Sequence, residues 1–86
     1  MATDQEAAQA FLRLRPYLAP VMERRELIGL DGGFEAGEPY FALSDAVASI
    51  PSYKVDVPRD VLMQAFSCLN EDDRQEYADI LKGETA

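Results

Sequence analysis

The 86 residues contain no histidine and a single cysteine. Without histidine there is no Ser-His-Asp or Cys-His nucleophilic site and no imidazole metal ligand. One cysteine makes neither an internal disulfide nor a structural zinc site. Cys68 lies between Ser67 and Leu69 in a helical pattern, with no basic neighbour in sequence to lower its pKa. It therefore reads as a small packing residue rather than a nucleophile. No run approaches the ~18 apolar residues that span a bilayer. No N-terminal stretch combines a basic start, an apolar run and a small-residue cleavage site. The expected localisation is cytoplasmic, in keeping with the lone cysteine. Internal repeats and low-complexity segments are also missing.

What is present describes one folded domain. Apolar residues make up 48% of the chain, with four Phe and four Tyr, which argues for a packed core over disorder. A chain of this length buries a modest core, so its stability should be on the order of 3–8 kcal/mol. The net charge of −8 is unevenly spread. In residues 1–30, Arg13, Arg15, Arg24 and Arg25 balance Asp4, Glu6, Glu23 and Glu26. Residues 31–86 hold twelve acids against Lys54, Arg59, Arg74 and Lys82, so the whole excess lies there. Such a surface repels nucleic acid and anionic membranes, attracts basic partners, and aids solubility in any case.

The stretch from Val57 to Lys82 organises the chain. Val61, Leu62, Ala65, Phe66 and Leu69 form one apolar stripe on a 3.6-residue period. Tyr77, Ala78, Ile80 and Leu81 repeat the pattern. Asn70 between them is a good N-cap, and Glu71, Asp72 and Asp73 suit the positive end of the following helix. The two helices are expected to fold back as a hairpin. Upstream, Thr3 and Glu6 form a capping box. Ala7, Phe11, Leu14, Leu18 and Val21 continue as a helical seam past Pro16 and Pro20. The prolines predict a break near 18, with Pro20 at the first position of a second helix and Gly29 as its C-cap.

Residues 30–37 are glycine-rich and read as an interhelical loop. They lack the Lys and Ser/Thr of a phosphate-binding loop and the alternating oxygen ligands of a calcium loop. Tyr40, Leu43, Val47 and Ile50 predict a helix over 39–50. Residues 40–43 read either as its first turn or as an extended entry. Residues 52–57 read as an extended linker, after which Asp56 or Val57 caps the helix that Pro58 helps to start. The tail from Gly83 is expected to fray.

Carboxylates are the most abundant chemical groups, yet paired-acid catalysis needs environments that separate their pKa values. A solvated helix face supplies none. Glu71, Asp72 and Asp73 match a hard-cation site only weakly, since such sites usually need several converging oxygens, and an acidic first turn suited to the helix dipole already accounts for them. The chain therefore reads as a non-enzyme without cofactor or metal. The four N-terminal arginines are too few, and too interleaved with acids, for a nucleic-acid footprint. They are expected to pair with the acidic C-terminal part, at ~0–1 kcal/mol per surface pair.

The order FLRLRPYLAPVMERREL, an acidic glycine-containing loop, EPYFALSDAVASI and VPRDVLMQAFSCLNEDDRQEYADIL resembles short, acidic, all-helical bacterial immunity-type proteins that neutralise a delivered toxin. The resemblance lies in size, charge and helix order. It implies a cytoplasmic partner-binding protein without catalysis.

The expected fold is all-α: a single-domain, compact antiparallel bundle of four or five helices, at about 4–17, 19–28, 39–50, 58–69 and 71–82. Its expected core is Phe11, Leu14, Leu18, Val47, Leu62, Phe66, Leu69, Tyr77 and Leu81. The expected partner is a basic protein, either a toxin or a nucleic-acid-binding protein whose ligand charge is mimicked. A regulatory adaptor binding through an apolar groove is the alternative. The expected contact face is Asp60, Glu71, Asp72, Asp73, Glu76 and Asp79, with Tyr53 as an aromatic anchor. Asp72, Glu76 and Asp79 would share one helical face.

Overall fold

Thr3 opens α1 (Asp4–Leu18) through the capping box. Its Oγ1 accepts from the Glu6 amide at 3.1 Å, and Glu6 Oε1 accepts from the Thr3 amide at 2.9 Å. In the computed structural model, which describes residues 2–83, five further helices follow. They are α2 (Arg24–Glu35), α3 (Pro39–Tyr53), α4 (Arg59–Ser67), α5 (Glu71–Glu76) and α6 (Ala78–Gly83). The fold is all-α as expected, with six helices instead of four or five. Gly83 closes α6, and the rest of the expected frayed tail, 84–86, lies outside the described residues.

The second helix departs most from expectation. Residues 19–22 form a turn in which the Val21 and Met22 amides both donate to the Leu18 carbonyl. Pro20 sits in that turn, not at a helix start. Val21 drops off the seam to 52% exposure and Met22 takes the buried place. α2 then runs straight through Gly29, Gly32 and Gly33, so the expected loop is mostly helix. Three helical glycines cost roughly 1.5–3 kcal/mol relative to alanine. That is offset by one apolar stripe, Leu27, Leu30 and Phe34, each burial contributing about 1.5–3 kcal/mol when complete. Phe34 stacks on Phe11 with ring centroids 4.8 Å apart. Gly37, not Gly29, ends the helix. At φ +86° it donates to Phe34 O, while the Glu38 amide reaches Gly33 O. This is a Schellman closure, which needs a left-handed residue at that point.

α3 begins at Pro39, so residues 40–43 are helical rather than extended. It does not stop at Pro51 but continues to Tyr53. There Lys54, at φ 54°, repeats the closure: the Lys54 amide donates to Pro51 O and the Val55 amide to Ile50 O. α4 starts after Pro58 with no side-chain cap, so neither Asp56 nor Val57 acts as one. At the next start, Asn70 does cap: its Oδ1 accepts from the Asp73 amide at 2.8 Å.

The expected single helix over 71–82 is split at Tyr77. Tyr77 has φ −102° and ψ 12°, and the Ile80 amide bonds to its carbonyl only three residues back. The local tightening accompanies fixed contacts at both ends of the segment, Asp73 to Tyr40 and Leu81 to Arg59.

Chain directions follow from specific pairs. Arg15 with Asp31 and Phe11 with Phe34 set α2 antiparallel to α1. Tyr53 with Glu26 sets α3 antiparallel to α2. Arg13 with Asp60 and Gln64, and Cys68 with the Glu6 carbonyl, set α4 antiparallel to α1. Arg59 with Leu81 folds α6 back over the start of α4, which is the expected hairpin. α3 packs against α1 and α2, and α1 against α4. The core lies where they meet, with Phe11, Leu14, Leu18, Leu43, Val47 and Leu69 fully buried and Phe66 only 3% exposed. Tyr77 and Leu81, expected inside, are half-buried at its edge.

Candidate functional site

The acidic C-terminal segment lies along the outer side of α3 and runs in the same direction. At its start, Asp73 accepts hydrogen bonds from the Tyr40 hydroxyl and, at 3.3 Å, from Ser44 Oγ. The Tyr40 oxygen in turn accepts from the Asn70 amide at 3.1 Å. Burial, and then the bond to Asp73, push the Tyr40 phenol above its ordinary pKa. Midway, the Tyr77 phenol is also raised, chiefly by burial and then by the charge of Glu76, with Asp73 and Asp45 adding to the same field. At the far end, Arg59 Nη1 donates to the Leu81 carbonyl at 2.9 Å.

The residues expected to make up the contact face divide. Glu71, Asp72, Glu76 and Asp79 are exposed on α5 and α6. Glu71 accepts only a 3.4 Å bond from Gln75, and Asp79 stands 3.6 Å from Lys82 with its side chain 98% exposed. Asp73 points inward to Tyr40 and Ser44. Asp60 is drawn away to α1, where Arg13 binds it and holds its carboxyl below the usual range. Tyr53 is not beside the acids. Its hydroxyl donates to Glu26 and accepts from the Glu23 amide, tying the end of α3 to the start of α2. The bond to Glu26 is the main reason its phenol is raised.

The arginines behave partly as expected. Arg13 bridges to Asp60 and Gln64, and Arg15 grips Asp31 through two bonds of 2.7 Å. The second pair lowers the Asp31 carboxyl and raises Arg15. Arg24 and Arg25 find no such partner among the described residues. Cys68 is buried, its Sγ 3.7 Å from the Glu6 carbonyl, as a packing residue would be. Among the described residues no three Asp, Glu or Cys side chains gather as a metal ion would require. No helix there is long and apolar enough to cross a membrane.

Two features escaped the sequence reading. Phe41 is 63% exposed and meets Tyr40 edge-to-face at 5.9 Å. Its signal was an aromatic lying off the Tyr40–Leu43–Val47–Ile50 stripe. The second is an open groove of about 720 Å³ between the α3–α4 connection and α6, walled mainly by Ile50, Val55, Val57, Leu62, Ile80 and Leu81. Its signal was the alternation of Tyr53, Val55 and Val57, which had no strand partner. The chain matches no protein-family model, no curated protein and no solved structure.

Proposed function

We propose that this protein is a small, non-catalytic protein-binding module of the immunity or inhibitor type, whose acidic surface covers a basic site on a partner protein. One observation carries the reading. Arg13, Arg15, Arg59 and Arg74 are directed to Asp60, Asp31 and backbone carbonyls, while Glu71, Asp72, Glu76 and Asp79 stay exposed on α5 and α6, with Lys82 3.6 Å from Asp79. A net acidic field steers basic surfaces and raises the rate of encounter. The groove beside these acids favours a second reading, a regulatory adaptor that binds through apolar contact. Mimicry of nucleic-acid charge rests on the same acids and differs only in the partner.

The experiment is to recover a partner by affinity capture and measure association across a salt series. The wild type should associate more slowly as salt rises. Reversing Asp72, Glu76 and Asp79 to Lys should abolish that dependence and slow association at low salt by about tenfold or more. Helicity must be retained in the variant. An unchanged rate and salt slope would remove the acidic surface from the interface.

A further inference from the structure

The core ends at one residue. Leu69 is 2% exposed, and among the described residues none from 70 to 82 is fully buried. Helices α1 to α4 each place at least one residue in the core, whereas α5 and α6 place none. Each of these two has only six residues, far short of the ~12–15 at which an isolated helix becomes marginal in water. Their order therefore rests on what ties them to α3 and α4. Near the start, the Tyr40 hydroxyl donates to Asp73 and accepts from the Asn70 amide, and Ser44 adds a second bond to Asp73. Near the end, Arg59 Nη1 donates to the Leu81 carbonyl. Between them Tyr77, Ile80 and Leu81 are half-buried against the core and share the groove with Ile50 and Leu62. The bonds of Asn70 with the Asp73 amide, and of Arg74 with the Leu69 carbonyl, are local and reach no other helix. Charge opposes closure, because Asp45 of α3 stands with Asp73 and Glu76 around Tyr77.

Independently of any partner, we propose that residues 70–82 form a strap that opens as one unit about Leu69, with the Tyr40 hydroxyl as its latch. Closed, the strap holds its acids toward solvent and walls the groove with Tyr77, Ile80 and Leu81. Open, it withdraws that wall and uncovers Ile50 and Leu62, while α1 to α4 stay packed. A segment held by few buried contacts and by bonds near the surface is the kind that opens below the free energy of global unfolding. Tyr40 suits the latch because one oxygen grips the segment twice, at the Asp73 side chain and at the Asn70 backbone. Both bonds break together when the strap leaves.

Amide hydrogen exchange of the full chain, measured across low urea concentrations, tests the strap. The Tyr77 and Ile80 amides, which bond to the Asp73 and Tyr77 carbonyls, should share one opening reaction. They should be protected about tenfold less, or lower still, than the amides of buried Leu14 and Val47. Their exchange should quicken with urea on a shallower slope than Leu14 shows, because the slope scales with the surface exposed. Tyr40→Phe keeps the ring, removes the hydroxyl, and should speed exchange at Tyr77 and Ile80 about tenfold. Val47→Ala should speed exchange at Leu14 and leave Tyr77 and Ile80 unchanged, since Val47 stays buried when the strap opens. A urea slope at Tyr77 and Ile80 equal to that at Leu14 would overturn the strap, because the segment would then leave only with the whole fold. A slope of zero would overturn it too, by reducing the opening to fraying that uncovers nothing. Unchanged exchange in Tyr40→Phe would overturn the latch. The slopes are read on the wild type, so they decide the matter even if Val47→Ala fails to fold.

Discussion

Lys54 sits at φ 54°, a left-handed conformation that costs a side-chain-bearing residue about 1–2 kcal/mol. Glycine would avoid that cost but lose more freedom on folding, roughly 0.5–1 kcal/mol. Lys54→Gly should therefore stabilise the protein by about 0.5–1 kcal/mol, read from the urea midpoint. Nothing in the local sequence marks Lys54 as left-handed, because Pro51 suggests an earlier helix end. Asp73 teaches a related lesson. As one of three consecutive acids it looks interchangeable with Asp72. The structure separates them, since only Asp73 faces Tyr40 and Ser44.

At the scale of elements, α2 shows tertiary packing overriding propensity. A Cβ built on Gly32 meets nothing within 4 Å, and its backbone is helical. Gly32→Ala should stabilise by roughly 0.5–1 kcal/mol. Gly37 also has open space, but its φ of +86° makes Gly37→Ala destabilising by about 1–2 kcal/mol. Denaturant melts of the two variants check both signs. Loss of stability in Gly32→Ala would mean that the segment is a loop after all. The capping motifs of α1 and α5 were legible because their bonds close within four residues. The α5–α6 break was not, because the contacts that accompany it come from α3 and α4.

Across the whole molecule, the pH limits of stability follow from the paired groups. Arg15 and Arg13 hold the Asp31 and Asp60 carboxyls below their ordinary range. A lowered carboxyl contributes stability that is present above its unfolded pKa of about 3.9 and is lost as pH falls through the folded value. Tyr40 and Tyr77 are raised, so their contribution is present below about pH 10 and lost as pH rises through the folded values. Urea midpoints should thus be level near neutrality and fall below about pH 4 and above about pH 10. Asp31→Asn should lower the plateau and flatten the acid limb. The arginine pair is a third exposed on each side, so the change should be under about 1 kcal/mol.

The sequence alone determined the all-α class, the buried stripes of α1, α3 and α4, the caps at Thr3 and Asn70, and the location of the excess charge. Each depends on spacing within a few turns, where helical period and side-chain reach are set by covalent geometry. Only the tertiary structure decided that a glycine-rich stretch is helical, that Tyr77 breaks a helix, and that Asp60, Asp73 and Tyr53 have internal partners. It alone decided that linker valines and α6 aliphatics share a groove. Those outcomes depend on groups brought together from 16 to 47 residues apart, as in Arg15 with Asp31 and Arg13 with Asp60. At such separations, packing against the other helices decides which contacts form.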